Sequence, residues 1–122
     1  MNPESLRTRG RDDLADDFRR FDRRRLVAMP ETDRDGFIAQ LLAWFETGQG
    51  APNFRTADVI DTAGERLMLC RIQVSFPSGQ ISELLQIYRY DEAVERLELV
   101  IAYDVEDLDA ARSEFVEVAA AL

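Results

Sequence analysis

The chain has 122 residues, 46% of them hydrophobic, and a formal net charge of −9, which predicts one globular domain over residues 1–122 whose core needs no metal or disulfide. It contains no histidine, no lysine and one cysteine, Cys70, which excludes Ser-His-Asp catalysis, histidine-ligated zinc, lysine Schiff bases and an internal disulfide. The acidic balance argues against a nucleic-acid partner, and no apolar run is long enough to span a membrane, so we expect a cytoplasmic protein.

The first thirty residues predict a helix start followed by an ambiguous segment. Asn2 suits a helix N-cap, and Pro3 suits the first helical position. Leu14, Phe18 and Phe21 then recur at i, i+4 and i+7, a spacing that favours a helix over a strand. The same region includes the arginine-rich stretch RRFDRRRLV (residues 19–27). This stretch fits a solvated helix face, a grip for one small anion or one wall of a binding cleft.

A second helix is predicted over 33–46, with Thr32 as its cap and Gly48 as its stop. Acidic residues in its first turn suit the positive end of the helix dipole. Its apolar residues recur at helical spacing: Phe37, Ile38, Leu41, Leu42, Trp44 and Phe45. Residues 48–53 (GQGAPN) predict a loop.

The second half of the chain has the period of strands, and a final helix follows. Short turn-like separators indicate an antiparallel meander of hairpins. The predicted strands cover residues 54–62, 65–76, 80–90 and 94–104. Residues 105–122 predict an amphipathic C-terminal helix, with Asp104 well placed as its N-cap.

One of these strands, 65–76, is apolar on both faces. Leu67 and Leu69 lie on one side, and Met68, Cys70 and Ile72 lie on the other. Helices that cover only one face of a sheet would leave the second apolar face in water. A symmetric partner is the simplest cover, so the sequence predicts a homodimer that forms through the sheet.

The order of these elements is that of a cone-shaped α+β fold, and specific stretches sharpen this. DDFRRFDRRRLVAMPETDRDGFIAQL (16–41), GERLMLCRIQV (64–74), ELLQIYRYD (83–91) and LVIAYDVEDLDAARSEF (99–115) resemble the SnoaL-like, ketosteroid-isomerase-like superfamily, also called nuclear transport factor two-like (NTF2-like). The likeness is greatest to actinobacterial domains of this kind. It implies a strongly curved antiparallel sheet wrapped on N-terminal helices, plus a C-terminal helix. It also implies a strand over 18–28, and we prefer that strand to the helix.

The resemblance makes Asp22 the candidate catalytic residue, because catalysts of this superfamily commonly use a carboxylate in the cone, assisted by Tyr or Asn, to move a proton next to a carbonyl. Where the family often has an Asp-His-Arg-like triplet, this chain has Asp22-Arg23-Arg24 and no histidine. Arg24 offers a second interpretation, a structural ion pair. Such a pair lowers the pKa of the aspartate and makes it a weak base.

Other candidate ligand-binding residues are aromatic or charged side chains of the predicted sheet and second helix. They are Trp44, Arg71, Tyr88 and Tyr103, in addition to Asp22 and Arg24. The tyrosines can donate hydrogen bonds to a ligand oxyanion or pack at a rim, and Trp44 can support a ligand or fill the core. Arg71 needs an anionic ligand or an acidic neighbour such as Glu83, since it lies in an apolar strand.

Three functions fit these observations. The first is a dimeric small-molecule-binding or regulatory domain without chemistry, which takes a small hydrophobic ligand. The second is a cofactor-free isomerase, cyclase or hydrolase of hydrophobic natural products, with Asp22 as base and a tyrosine as acid. The third is a structural dimerisation module whose cone is filled with side chains. We favour the first; no metal or cofactor is expected in any of them.

Overall fold

The structure is a computed structural model that describes residues 2–26, 28–47, 50 and 52–122. Its elements, in chain order, are α1 (Pro3–Asp13), β1 (Leu14–Asp22), β2 (Thr32–Asp33), α2 (Arg34–Glu46), β3 (Asn53–Ala63), β4 (Leu67–Ser75), β5 (Ile81–Tyr90), β6 (Leu97–Tyr103), a 3₁₀ turn (Val105–Asp107) and α3 (Leu108–Ala120). The expected stop at Gly48, and residues 49 and 51 of the expected loop, lie outside the described residues. No helix in the described part of the chain is long and apolar enough to cross a membrane.

The strands form one curled sheet in the order β2-β1-β6-β5-β4-β3. All neighbours are antiparallel except β1 and β6, which run parallel. The predicted α+β cone is therefore confirmed, and the meander of β3 to β6 matches the predicted strands to within three residues at each end.

The N-terminal strand β1 resolves the conflict between periodicity and family resemblance. The helix favoured by periodicity is wrong, and the strand implied by the resemblance is present, although it runs from Leu14 to Asp22 and not over 18–28. The register against β6 shifts between Leu14 and Arg19. This irregularity, and not a helical turn, produces the spacing of the apolar residues. Leu14 and Phe18 consequently share one core cluster, while Phe21 packs into another.

The sequence predicts the N-cap residue of α1 correctly but not that of α2. The Asn2 side chain caps α1 as predicted, accepting a hydrogen bond of 2.8 Å from the Ser5 amide. For α2 the predicted cap, Thr32, is wrong, because Thr32 is paired with β1 and the helix starts later. Asp33 is the cap, and its carboxylate accepts from the Gly36 amide at 2.8 Å. Both caps satisfy amides that the first helical turn leaves without partners.

Helices of the chain cover one face of the sheet and part of the other. We call the face toward α1 and α2 the inner face, where Phe18 packs on Phe37 with ring centroids 5.7 Å apart. The opposite, outer face is covered in part by α3, through Ala111 and Phe115. The apolar outer residues beneath them are Leu67, Leu69, Leu85, Ile87, Leu99 and Ile101. The two-sided apolar character of β4 thus has an explanation inside the chain, which removes the sequence argument for a partner over this part of the sheet.

Asp104 ends β6 but is not the cap that the sequence predicts. Its side chain makes no capping hydrogen bond to the turn that follows. Instead, its Oδ2 accepts from the Arg25 amide at 2.9 Å. Asp104 therefore holds the loop after β1 against the end of β6.

The close approach of α1 to α2 depends on Gly10. A Cβ at Gly10 would lie 2.7 Å from both Cγ1 and Cδ1 of the buried Ile38. We expect Gly10→Ala to destabilise the fold by about 1 kcal/mol, because overpacking costs about 1–3 kcal/mol and exceeds the helix-propensity gain of about 1 kcal/mol. Urea unfolding measures this change. In combination with Ile38→Ala the penalty of Gly10→Ala should vanish, and a penalty that persists would contradict the steric explanation.

Candidate ligand-binding site

The pairing of β1, β6 and β5 places polar side chains side by side on the inner face. Arg20 is opposite Val100, which is opposite Tyr88. Two residues further along β1, Asp22 is opposite Ala102 of β6, which is opposite Gln86 of β5. Because side chains alternate along a strand, these two rows face α1 and α2 together. A charged pair and a polar pair are thus brought to the centre of an otherwise apolar surface.

The carboxylate of Asp22 is shielded from solvent and accepts several hydrogen bonds. Arg24 donates to it through its side chain at 2.9 and 2.6 Å and through its amide at 3.1 Å. The Met29 amide adds a bond of 3.1 Å, and Arg20 adds a long one of 3.4 Å. Burial raises the pKa of Asp22, but these hydrogen bonds outweigh it and hold the pKa below the ordinary value. Asp22 is consequently ionised at neutral pH and is a weak base.

Arg20 is a buried charge of the inner face with one weak partner. It is only 7% exposed, and within the described residues the 3.4 Å contact with Asp22 is its one side-chain hydrogen bond. Its guanidinium also lies 5.5 Å from the ring centre of Phe37. Burial is the main cause that lowers the pKa of Arg20. An arginine stays protonated even so, which leaves several donors directed into the space between the sheet and α2.

Tyr88 and Gln86 form the uncharged part of the site. The Tyr88 hydroxyl donates to Oε1 of Gln86, and Gln86 is almost fully buried. Burial raises the pKa of Tyr88 well above its ordinary range, which keeps the phenol protonated. The pair can therefore donate and accept hydrogen bonds but contributes no charge.

Two cavities open on the inner face, and they share Arg20, Phe37 and Phe54 as walls. The first, which we call the Trp44 cavity, has a volume of about 420 Å³. Its other walls include Arg24, Met29, Trp44, Phe76 and Asp104. The second, the Tyr88 cavity, has a volume of about 380 Å³ and is mostly apolar. Its other walls include Leu14, Leu41, Gln86, Tyr88, Leu97 and Val100. Both volumes lie in the range of small-molecule sites.

Four of the predicted site residues meet at this face: Asp22, Arg24, Trp44 and Tyr88. Asp22 and Arg24 form the ion pair that the sequence offered as the alternative to a catalytic aspartate. Trp44 lines a cavity and also packs edge-on against Phe76, with ring centroids 5.8 Å apart.

The other two predicted residues, Arg71 and Tyr103, lie on the outer face and do not line these cavities. Arg71 pairs with Glu83 at 3.1 Å, the neighbour that the sequence suggested. The Tyr103 hydroxyl donates to Glu114 of α3, and burial together with this bond raises its pKa to about 12. Both residues share the outer face because Arg71 and Tyr103 are each paired with Leu85. The strand register, which the sequence does not show, separates them from the two inner-face cavities.

Sequence reasoning missed Arg20, Phe37 and Gln86 as members of the site. A signal for Arg20 was present, because it stands two residues before Asp22 on a strand and must share its face. The helical spacing of Phe37 indicates only that it belongs to the apolar face of the second helix. Within the described residues, no three Asp, Glu or Cys side chains come together as metal ligands.

Comparisons with known proteins identify the fold. No protein-family model and no curated protein sequence matches the chain. An NTF2-like protein of unknown function from Exiguobacterium sp. 255-15 is similar in structure, with a TM-score of 0.52 and 10% identity over 84% of each chain. A candidate SnoaL-like polyketide cyclase from Shewanella putrefaciens CN-32 is similar with a TM-score of 0.52 and 15% identity, over 82% of this chain and 69% of that one. The chain therefore has the SnoaL-like, NTF2-like fold, as its sequence resemblance implied.

The Asp22 network predicts a stability effect that depends on pH. Asp22→Asn removes the charge that Arg20 and Arg24 share, so we expect it to reduce the free energy of unfolding by about 3 kcal/mol at pH 7. A carboxylate with a depressed pKa contributes stability above its unfolded pKa of about 4 and loses it as pH falls through the folded value. The cost of Asp22→Asn should therefore shrink in urea unfolding at about pH 3.

Asp16→Asn is the matched control for this experiment. Asp16 pairs with Arg34 at 2.7 Å, but its side chain is 84% exposed. Exposed ion pairs contribute about 0–1 kcal/mol, so this variant should change stability little at either pH. An Asp22→Asn cost that equals that of the control, or that does not change with pH, would contradict the network.

Proposed function

We propose that residues 1–122 form a single, cytoplasmic small-molecule-binding or regulatory domain that takes a small hydrophobic ligand on the inner face and performs no chemistry there. The observation that carries this proposal is the combination of two open cavities with a carboxylate that is already saturated. The cavities meet at Arg20, Phe37 and Phe54, while Asp22 accepts five hydrogen bonds. The space for a ligand is present, and the group that would act as base is occupied.

The open cavities also weigh against a cone filled with side chains, the third function that the sequence allowed. The enzyme alternative, a cofactor-free isomerase, cyclase or hydrolase, requires Asp22 to accept a proton from substrate. Its lowered pKa and its contacts with Arg24 oppose that role. Tyr88 could serve as the hydrogen-bond donor of such an enzyme, but a donor without a base leaves a binding site.

We propose in addition that the domain forms a homodimer through the part of the outer face that α3 does not cover. Ile81 on this part of the sheet is 60% exposed. Beside it, Arg71 pairs with Glu83, and Arg55 contacts Gln73 at 2.8 Å. A surface with one apolar group and paired charges suits a small, polar two-fold contact.

Ligand binding can be tested with a neutral apolar probe, N-phenyl-1-naphthylamine. We expect saturable binding, measured as an increase in the fluorescence of the probe when the probe itself is excited. Leu41 lines the Tyr88 cavity and is half-buried. Leu41→Trp fills the cavity and should weaken binding about tenfold, equivalent to about 1.4 kcal/mol.

The control places the same side chain on the other side of the molecule. Val116 on α3 is 64% exposed, so Val116→Trp should bind the probe as the unaltered chain does. Absence of saturable binding would contradict the proposal. Turnover of a β,γ-unsaturated ketone or an epoxide that disappears in folded Asp22→Asn protein would establish the enzyme alternative instead.

The dimer is tested by sedimentation equilibrium. We expect a dimer for the unaltered chain and a shift toward monomer for Arg71→Glu, because the substitution replaces the Arg71–Glu83 pair with two like charges, which repel the same charges of the second copy across a two-fold contact. Arg19→Glu makes the same charge change on the outer side of β1, where Arg19 meets Glu31, and should leave the dimer intact. A monomeric unaltered chain at high concentration would disprove the dimer.

A further inference from the structure

Arg20 and Arg24 both contact the carboxylate of Asp22, but this carboxylate does not neutralise them equally. Arg24 takes both oxygens of Asp22 in a forked pair, at 2.9 and 2.6 Å. Asp104 lies close enough to Arg24 to raise its pKa further. Arg20 receives only the remaining long contact of 3.4 Å with Asp22. Arg24 is therefore well compensated, whereas the positive charge of Arg20 is only weakly compensated by the carboxylate that it shares.

A buried charge of this kind is costly unless something compensates it. Arg20 is 7% exposed, so bulk water does little to solvate it, and Phe37 offers only a ring face. A guanidinium has five donors in a planar fork that matches the two oxygens of a carboxylate. One negative charge would neutralise Arg20, whereas a phosphate dianion would be repelled by the nearby Asp22.

The surroundings of Arg20 add a polar end to an apolar cavity. Gln86 is 3% exposed, and its carbonyl oxygen is used by Tyr88. No acceptor for the Gln86 amide nitrogen is present among the described residues. Most of the other walls of the Tyr88 cavity are apolar, including Leu14, Leu97 and Val100, and the polar residues Arg9, Asp13 and Asn53 also line it. The cavity thus has one end suited to an anion and a longer part suited to hydrocarbon.

We propose that the ligand of the inner face is an amphipathic monocarboxylate, whose carboxylate binds Arg20 and Gln86 and whose hydrocarbon part lies in the Tyr88 cavity. This inference rests on the proposed binding function and specifies its ligand class. In this arrangement Arg20 forms a forked ion pair in a site that excludes most water. Charged hydrogen bonds of this kind are about twice as strong as neutral ones.

The test compares two probes with the same hydrocarbon chain and headgroups of similar size, the charged decanoate and the neutral decanamide, by isothermal titration calorimetry at pH 7 and below the micelle concentration. We expect the unaltered chain to bind decanoate about 10–100-fold more tightly than decanamide, as one charged hydrogen-bonded pair provides. Arg20→Gln should lose this preference and bind the two probes within about twofold of each other. Arg19→Gln removes a charge from the neighbouring residue on the opposite face and should keep the preference.

The outcomes separate this inference from the proposed function. Equal binding of both probes by the unaltered chain would overturn the carboxylate and leave the binding function in place. Binding of the neutral naphthylamine but of neither decanoyl probe would do the same, whereas binding of none of the three would overturn both. If Arg20→Gln fails to fold by circular dichroism, the comparison in the unaltered chain still decides. Arg20→Lys, which keeps the charge without the fork, should then retain a reduced preference.

Discussion

The buried carboxylate of Asp22 is the interaction on which the inner face depends. It joins the end of β1 to the following segment through Arg24 and the Met29 amide, and it also meets Arg20 within its own strand. Removal of one partner from such a network leaves the remaining charges buried, which is more costly than the pair is favourable. The segment after β1 forms part of the wall of the Trp44 cavity, so the ion pair that stabilises the fold also shapes the site.

The same interaction decides what chemistry the site supports. A carboxylate in an apolar pocket acquires a raised pKa and can take a proton at neutral pH, whereas one surrounded by donors does not. Asp22 belongs to the second kind, because both the side chain and the backbone amide of Arg24 donate hydrogen bonds to it. Its electrostatics are those of a counter-ion. The fold alone therefore does not carry the activity, and the site has to be judged on its own charges.

The sequence predicted the fold well wherever its pattern was regular. The turn-like separators between β3, β4, β5 and β6 placed those strands closely, and the apolar stripe of the last helix identified α3. It failed at β1, where an irregular register imitates helical spacing and only the family resemblance pointed to a strand.

The sequence also did not show which face of the sheet each side chain occupies. Whether Tyr88 and Tyr103 lie together depends on the pairing of β5 with β6, which no single strand reveals. The docking of α3 on the outer face was similarly invisible, because an amphipathic helix shows that it covers something but not what. For that reason the pattern of β4 suggested a partner subunit where the chain covers itself.

The outer face provides a comparison that shows why Arg20 is unusual. There too one carboxylate serves two arginines: Glu98 meets Arg66 at 3.0 Å and Arg89 at 2.8 Å. Those arginine side chains are 28% and 29% exposed, so water completes their solvation and screens their repulsion. Arg20 and Arg24 likewise share one carboxylate, that of Asp22, but Arg20 lies beneath α2 with little access to water. The two clusters have equal ratios of arginine to carboxylate but unequal solvation, so of the two it is the inner-face cluster that keeps a positive charge with little compensation, next to a mostly apolar cavity. A ligand that carries one anionic group is the chemistry that removes it.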